Sequence, residues 1–507
     1  MSLFSPRELR AASRFLGALT VVGAVVGFAY DSLVVAAFGP GVTTDAYFLA
    51  LGVVWFLPIL YYLAATNVIT PALSATTPGQ SLEWRRGLIT WVFTGVLSGA
   101  AIMALRTPLS IALSNDAAVR VQLRACLWPL ALIPALAAFS EFQRARLLAN
   151  GRYAATGFYA IARNVGMAVA ALLLRPRSAE GLGVAVSAGY AVQVVAVELF
   201  RFASGGPKGS LLTGPSLRDG WLDRFALRGL MTQGAIFGVG YVAVLFERAI
   251  AGHLGAGYPT VFSYSYRIVS MLGSVAITSV TVPAVAELAQ ALATGGRERA
   301  TRALQQVFDA AMRLALPAAL FLPVVGLPVA RFLAPGQAGP FAMVLALYGL
   351  SLVGWCFVRP WSTLEYARGV SRTVFGVSAG QSAATVVCGL VALWAGAPVL
   401  AVGPLVGAGV GCALAWHFTT TSDRELLRRG MSIRAEWLLK WVAVAGGVSV
   451  IVLVIGSVYR GRLAALATCF LAGGAFLSAA WMVGLLRQEP LADPVAGTPE
   501  PISSSPA

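Results

Sequence analysis

An all-α, polytopic membrane bundle of about fourteen transmembrane helices is the fold class this sequence predicts. Three observations predict it. Of 507 residues, 58% are hydrophobic and only 11% charged, where a soluble chain carries about a quarter charged residues. Apolar runs near the ~20 residues needed to cross a bilayer recur along almost the whole length. The basic residues gather in short clusters between those runs, as they do in loops beside a membrane.

Taken in order, the expected spans are 14–38, 46–74, 87–105, 122–141, 154–174, 183–203, 226–252, 260–288, 304–333, 341–359, 374–395, 398–418, 436–457 and 463–486. Arginines precede the first span, but no small-residue cleavage site follows it, so it reads as a retained helix and not a removed leader. Starting at the N-terminus, every second connecting segment carries about three times the Lys and Arg of the alternate ones. That bias predicts both termini in the cytoplasm. The net charge of +16 then reads as cytoplasmic loops against anionic membrane lipids, with no nucleic-acid partner. Residues 487–507, rich in Pro and Ser, read as a disordered tail.

A repeat underlies the spans. "FAYDSLVVAAFGPG" (28–41) lies on "VLFERAIAGHLGAG" (244–257) at an offset of 216, so that Tyr30-Asp31 meets Phe246-Glu247 and Gly39 and Gly41 meet Gly255 and Gly257. "TPALS" (70–74) matches "VPAVA" (282–286), and "ANGRYAATG" (149–157) resembles "ARGVSRTVFG" (367–376). The offset spans an even number of helices, so the copies run parallel, and such repeats place a binding site between two lobes near the midplane. The expected organisation is an N-lobe over 1–203, a cytoplasmic linker over 204–225, and a C-lobe over 226–418. A cytoplasmic segment and two appended helices follow over 419–486, then the tail.

The residues that carry chemistry lie inside the apolar runs. In "GYPTVFSYSYRIVSMLGSVAITSVTVP" (257–283), Ser263, Arg267, Ser270, Ser274, Thr278 and Thr281 follow one another at spacings of three and four, which puts them on one helical face. Small hydroxylated residues also serve ordinary helix packing. An arginine at helix centre, however, costs at least ~2.5 kcal/mol on insertion scales. A polar cavity lined by that stripe accounts for Arg267, and an ion pair with Asp45 or Glu247 is the alternative. Asp31, Arg163, Glu198, Glu247, Arg248, Glu287, Asp309, Arg313 and Arg359 add further intramembrane charge. Asp31 and Glu247 hold equivalent repeat positions and could face one cavity as a pair. Asp45 follows "GPGVTT" and suits either a cavity role or a cap on its own helix.

Enzyme chemistry is poorly supported. "GAGVGC" (407–412) resembles a phosphate loop but sits inside an apolar span, where close helix packing explains it. Five isolated cysteines and two histidines suggest neither a disulfide framework nor a metal centre.

At "GFAYDSLVVAAFGPGVTTDAYFLA" (27–50) the sequence resembles the opening of the MurJ/MviN lipid II flippases, within the multidrug/oligosaccharidyl-lipid/polysaccharide exporter superfamily. Gly27-Phe28-Ala29, Asp31, Phe38-Gly39 and Thr44-Asp45-Ala46-Tyr47-Phe48 carry that likeness. The Tyr-rich turn before Arg267 resembles the family's eighth helix, whose arginine faces the central cavity. The resemblance implies two six-helix lobes plus two C-terminal helices, and a flippase for a polyprenyl-diphosphate-linked saccharide in the bacterial inner membrane. Arg267, on that position, and Ser263, Ser270, Ser274, Asp45 and Tyr30 are the candidate substrate contacts. Asp31, Asp45 and Glu247 are the candidate coupling acids. No cofactor or metal is implied beyond a monovalent cation or the membrane potential as drive, and cell-envelope synthesis proteins are candidate partners. The family's two first-helix cavity arginines fall on Ala24 and Tyr30 here, which leaves other lipid-linked glycans open as substrate. A cation-coupled drug exporter, a membrane glycosyltransferase and a non-transporting scaffold are the competing readings.

Overall fold

The structure is a computed structural model that describes residues 6–70, 83–149, 153–203, 224–293, 297–368, 370–419, 424–425, 427–428, 435–458 and 461–482. The expected tail and nearly all of the expected linker lie outside those residues, as does most of "TPALS". Among the described residues there is no strand.

Fifteen long helices follow in order: α1 (Pro6–Phe38), α2 (Val42–Ala64), α3 (Glu83–Leu113), α4 (Ala117–Leu130), α5 (Ile133–Ala149), α6 (Tyr153–Leu174), α7 (Ala179–Ala203), α8 (Arg224–Leu254), α9 (Tyr258–Ala293), α10 (Arg297–Leu333), α11 (Ala338–Ala367), α12 (Ser371–Ala395), α13 (Ala397–Phe418), α14 (Ala435–Val458) and α15 (Arg462–Met482). Among the described residues ten segments are long and apolar enough to cross a membrane, and shorter apolar stretches occur in α1, α6 and α15. The chain is thus a multi-pass membrane protein. One expected span is divided. Pro134 lacks the amide that would continue α4 into α5, and the chain turns at Ala131 and Leu132. The break aims the Ala131 carbonyl at Gly99 of α3, where a β-carbon would stand 2.2 Å from it.

The repeat is reproduced to the residue. α1 ends at Phe38 and α8 at Leu254; α2 begins at Val42 and α9 at Tyr258. Each joint is therefore three residues long, and the offset is the 216 of the sequence match. Gly39, Gly255 and Gly257 adopt φ of 68°, 139° and 86°, values that favour glycine. Packing recurs as well: α1 lies on α6 as α8 lies on α12, α6 on α7 as α12 on α13, and α3 on α5 as α10 on α11. The two sets meet where α2 packs on α8 and α9, and α1 on α9, while α14 and α15 pack on α10.

Gly257→Ala is expected to destabilise the protein by about 1–2 kcal/mol, the cost of a left-handed conformation for a residue with a β-carbon. The added carbon would also stand 2.0 Å from Nε2 of Gln337. Gly41→Ala, whose φ of 163° is extended and whose β-carbon would meet nothing within 4 Å, is expected to change little. Thermal midpoints of the two variants in detergent check the contrast.

Other sequence features take structural roles. Gly407 of "GAGVGC" packs α13 onto α12, where a β-carbon would stand 2.5 Å from the Thr385 hydroxyl. Glu198 pairs with Arg201 at 2.6 Å within α7. Arg144 of α5 pairs with Glu141 at 2.6 Å and reaches the Thr66 hydroxyl at 2.6 Å, beside a π-helical turn over Ala65–Ile69 that extends α2.

Candidate functional site

The site lies where α1, α2, α6 and α9 converge. At 1.5 Å per residue, Asp31 sits about 10 Å from the joint end of α1, and Arg267 about 14 Å into α9. Trp55 sits about 20 Å into α2, and Arg163 near the middle of α6. All four therefore lie about two turns or more from the ends of their helices.

Arg267 donates from Nη1 to Oδ1 of Asp31 at 2.5 Å. The Asp31 side chain is 5% exposed and that of Arg267 22%, so the acid is buried and the arginine keeps part of its surface. This is the ion pair expected as the alternative for Arg267, but with Asp31 in place of Asp45 or Glu247. It joins the two repeats through residues 236 apart. The guanidinium carbon of Arg267 also lies 5.0 Å from the ring centroid of Trp55. Arg163 approaches the same ring to 5.4 Å and the Tyr190 ring to 5.3 Å. Arg163 donates to Oδ1 of Asn164 at 3.2 Å and to the Tyr190 hydroxyl at 3.4 Å, and it is close enough to Asp31 to act on its charge. Asn164 in turn donates to the Gly23 carbonyl at 2.6 Å, tying α6 to α1. One turn before Trp55, Gly52 leaves room for Arg248 of α8, whose guanidinium lies 5.5 Å from the Tyr266 ring.

Above this cluster the joint end is closed. The Ser32 hydroxyl is hydrogen-bonded to that of Tyr264, whose ring stacks on Phe28 at 5.8 Å and on Phe341 at 6.0 Å. The hydroxyls of Tyr30 and Tyr47 are buried there without a hydrogen-bond partner.

Asp45 takes neither role expected of it. The N-terminus of α2 is closed by Thr44, whose Oγ1 accepts from Gly41 N at 3.0 Å and donates to the Gly39 carbonyl at 2.7 Å. Asp45 instead crosses to the other repeat. Its carboxylate accepts from Gly257 N at 2.6 Å, Thr260 N at 3.0 Å and the Thr260 hydroxyl at 2.5 Å. It thus caps α9, where the free amides of a helix start favour a negative charge. Three bonds occupy it, so it does not face Arg267.

The hydroxyl stripe is described in part. Ser270 donates back to the Arg267 carbonyl at 3.1 Å, a bond that keeps it on its own helix. Ser263 is buried and its hydroxyl has no partner. The side chains of Ser274, Thr278 and Thr281 lie outside the described residues, as do those of Ala24, Glu287 and Arg313. The two acids at equivalent repeat positions part company as well. Asp31 bonds across to Arg267, whereas Glu247 accepts from the Tyr348 hydroxyl within its own repeat. Their one-residue neighbours differ, and so does the packing around them. Trp55 and the contribution of Arg163 were not among the expected site residues. The available signal was an arginine at the middle of an apolar span.

Among the described residues no group of His, Cys, Asp and Glu is arranged to hold a metal ion. What the structure brings together is two arginines, an acid and an indole ring.

The comparisons with known proteins concern the family and the fold. A search of curated protein sequences gives no match. The family model of the lipid II flippase MurJ matches residues 34–473. The fold is similar to that of a lipid II flippase MurJ in an inward closed conformation, at TM-score 0.70 and 13% identity over 92% of this chain and 98% of that one. It is also similar to a transporter of the MOP superfamily from Pyrococcus furiosus, at TM-score 0.58 and 15% identity, with 83% and 96% covered. A Vibrio cholerae MATE transporter matches at TM-score 0.59 and 17% identity, with 83% and 98% covered. With the family model spanning most of the sequence, the chain belongs to the lipid II flippase MurJ family, a family of transporters and not of enzymes.

Proposed function

We propose that the chain moves a polyprenyl-diphosphate-linked saccharide, lipid II or a related cell-envelope precursor, across the bacterial inner membrane by alternating access. Both termini lie in the cytoplasm in this reading, so the 39–41 and 255–257 joints face the periplasm. The lobes over 1–203 and 226–418 rock against each other, with 204–225 linking them. The observation that carries the proposal is Arg267: an arginine inside the bundle that pairs with an acid of the other repeat while its side chain stays partly exposed.

The mechanism follows from that pairing. A diphosphate entering from the cytoplasm competes with Asp31 for Arg267, since charge-assisted, bidentate contacts are the strong ones. Asp31, displaced, takes up a proton or monovalent cation. Of the three candidate coupling acids it alone meets the site's arginines; Asp45 and Glu247 are committed to Thr260 and Tyr348. The Asp45 cap and the Ser32–Tyr264 contact hold the periplasmic end shut in this state and part in the other. When Asp31 loses its cation on the outer side it reclaims Arg267 and expels the lipid.

Purified protein reconstituted in vesicles with a fluorescent polyprenyl-diphosphate saccharide tests the proposal. The probe in the inner leaflet is expected to become accessible to an external quencher faster than in protein-free vesicles. Equal rates with folded protein would contradict it.

A further inference from the structure

We propose that Arg163 is the second anion-binding guanidinium of this site, and that Arg163 and Arg267 together hold the two phosphates of a lipid diphosphate across the Trp55 ring. The inference rests on the transport reading above and names the residue that gives it diphosphate selectivity.

Arg163 has an unusual position. It lies midway along α6, where an arginine is costly unless something compensates it. Among the described residues no carboxylate forms an ion pair with it. Its hydrogen bonds, at 3.2 and 3.4 Å, go to a neutral amide and a neutral phenol. Ring stacking on Trp55 and Tyr190 orients it but brings no negative charge. The side chain is only partly buried, so donors remain available. A guanidinium held in place by rings and neutral acceptors, with Asp31 acting on it through charge but without an ion pair, keeps donors for an anionic ligand.

The spacing suits two phosphates. The guanidinium carbons lie 5.4 and 5.0 Å from one ring centroid, so they stand no more than about 10 Å apart. A diphosphate that makes N–H···O contacts of about 2.8 Å at each end spans any separation up to that bound, and it offers the second arginine a phosphate of its own. Charge balance agrees. With Asp31 ionised the three groups sum to plus one; with Asp31 neutralised they sum to plus two, matching the two negative charges of a diphosphate diester.

Binding of undecaprenyl diphosphate and undecaprenyl monophosphate to the purified full-length protein, each titrated separately by native mass spectrometry, tests the assignment. The wild-type chain is expected to prefer the diphosphate by about tenfold or more, the gain of one further charge-assisted contact. Arg163→Gln is expected to bring the two affinities within about twofold of each other, by weakening only the diphosphate. Arg163→Lys, which keeps charge but not the planar fork, is expected to fall between. A purely structural Arg163 would lower both affinities in proportion through the folded fraction, leaving their ratio at the wild-type value. That unchanged ratio would overturn the assignment while leaving the transport reading intact. Wild-type protein that binds neither lipid would overturn both.

Discussion

Arg267→Ala is expected to abolish growth rescue in a bacterium depleted of its own lipid II flippase, while the wild-type chain restores growth and both reach the membrane in equal amount. The effect is large because the substitution removes the guanidinium that pairs with Asp31 across the two repeats. Removing one partner of a buried pair commonly costs about 3–5 kcal/mol. Here the loss of stability is expected to be smaller, since Arg267 is 22% exposed and Arg163 remains close enough to act on Asp31. Folding therefore survives and transport does not. Membrane-fraction immunoblots alongside the growth curves separate the two effects.

Asp45→Ala is expected to open the end of the bundle at which the joints lie. The carboxylate makes three bonds to the start of α9, and bonds to a charged acceptor contribute about 1.5–3 kcal/mol each before the cost of burial is set against them. Because cap and capped helix belong to different repeats, the loss falls on the contact between them and not on either repeat alone. A population shift toward the state open at that end is the result. A cysteine placed at Ala46, fully buried in this structure, is expected to react with an impermeant thiol reagent at least about tenfold faster in the Asp45→Ala background, the rate ratio that a shift of 1.4 kcal/mol produces. Asp45→Asn, which keeps an acceptor oxygen but loses the charge, is expected to give an intermediate rate. Unchanged labelling in both would mean that the cap does not hold the end closed.

The parts of this molecule visible in the sequence are those set by local chemistry. Apolar runs of crossing length mark the helices, because hydrocarbon tolerates a spanning chain only when its backbone is internally bonded. The Gly39–Gly41 and Gly255–Gly257 joints stand out because a three-residue turn with positive φ selects glycine. Arg267 stands out by cost, as an arginine within an apolar face. What the sequence hides is which residues meet. Asp45 looks like a cap for its own helix, yet Thr44 fills that place and Asp45 reaches a helix start 212 residues away. The Ser270 spacing looks like a cavity ladder, but a hydroxyl inside a helix has a carbonyl of its own within reach. The meeting of Arg163 and Arg267 at Trp55 needs three helices brought together, and no local pattern encodes it. The helix break at Ala131 was hidden for a milder reason: Pro129 and Pro134 sit inside one continuous apolar run.

The central claim is that Arg267 binds the cargo and is more than a brace between two halves. The double substitution Asp31→Asn with Arg267→Gln tests this most directly, because it removes the pair without stranding a buried charge. The account predicts a protein that melts near the wild-type temperature and still fails to restore growth. Restored growth from that neutral pair would contradict it.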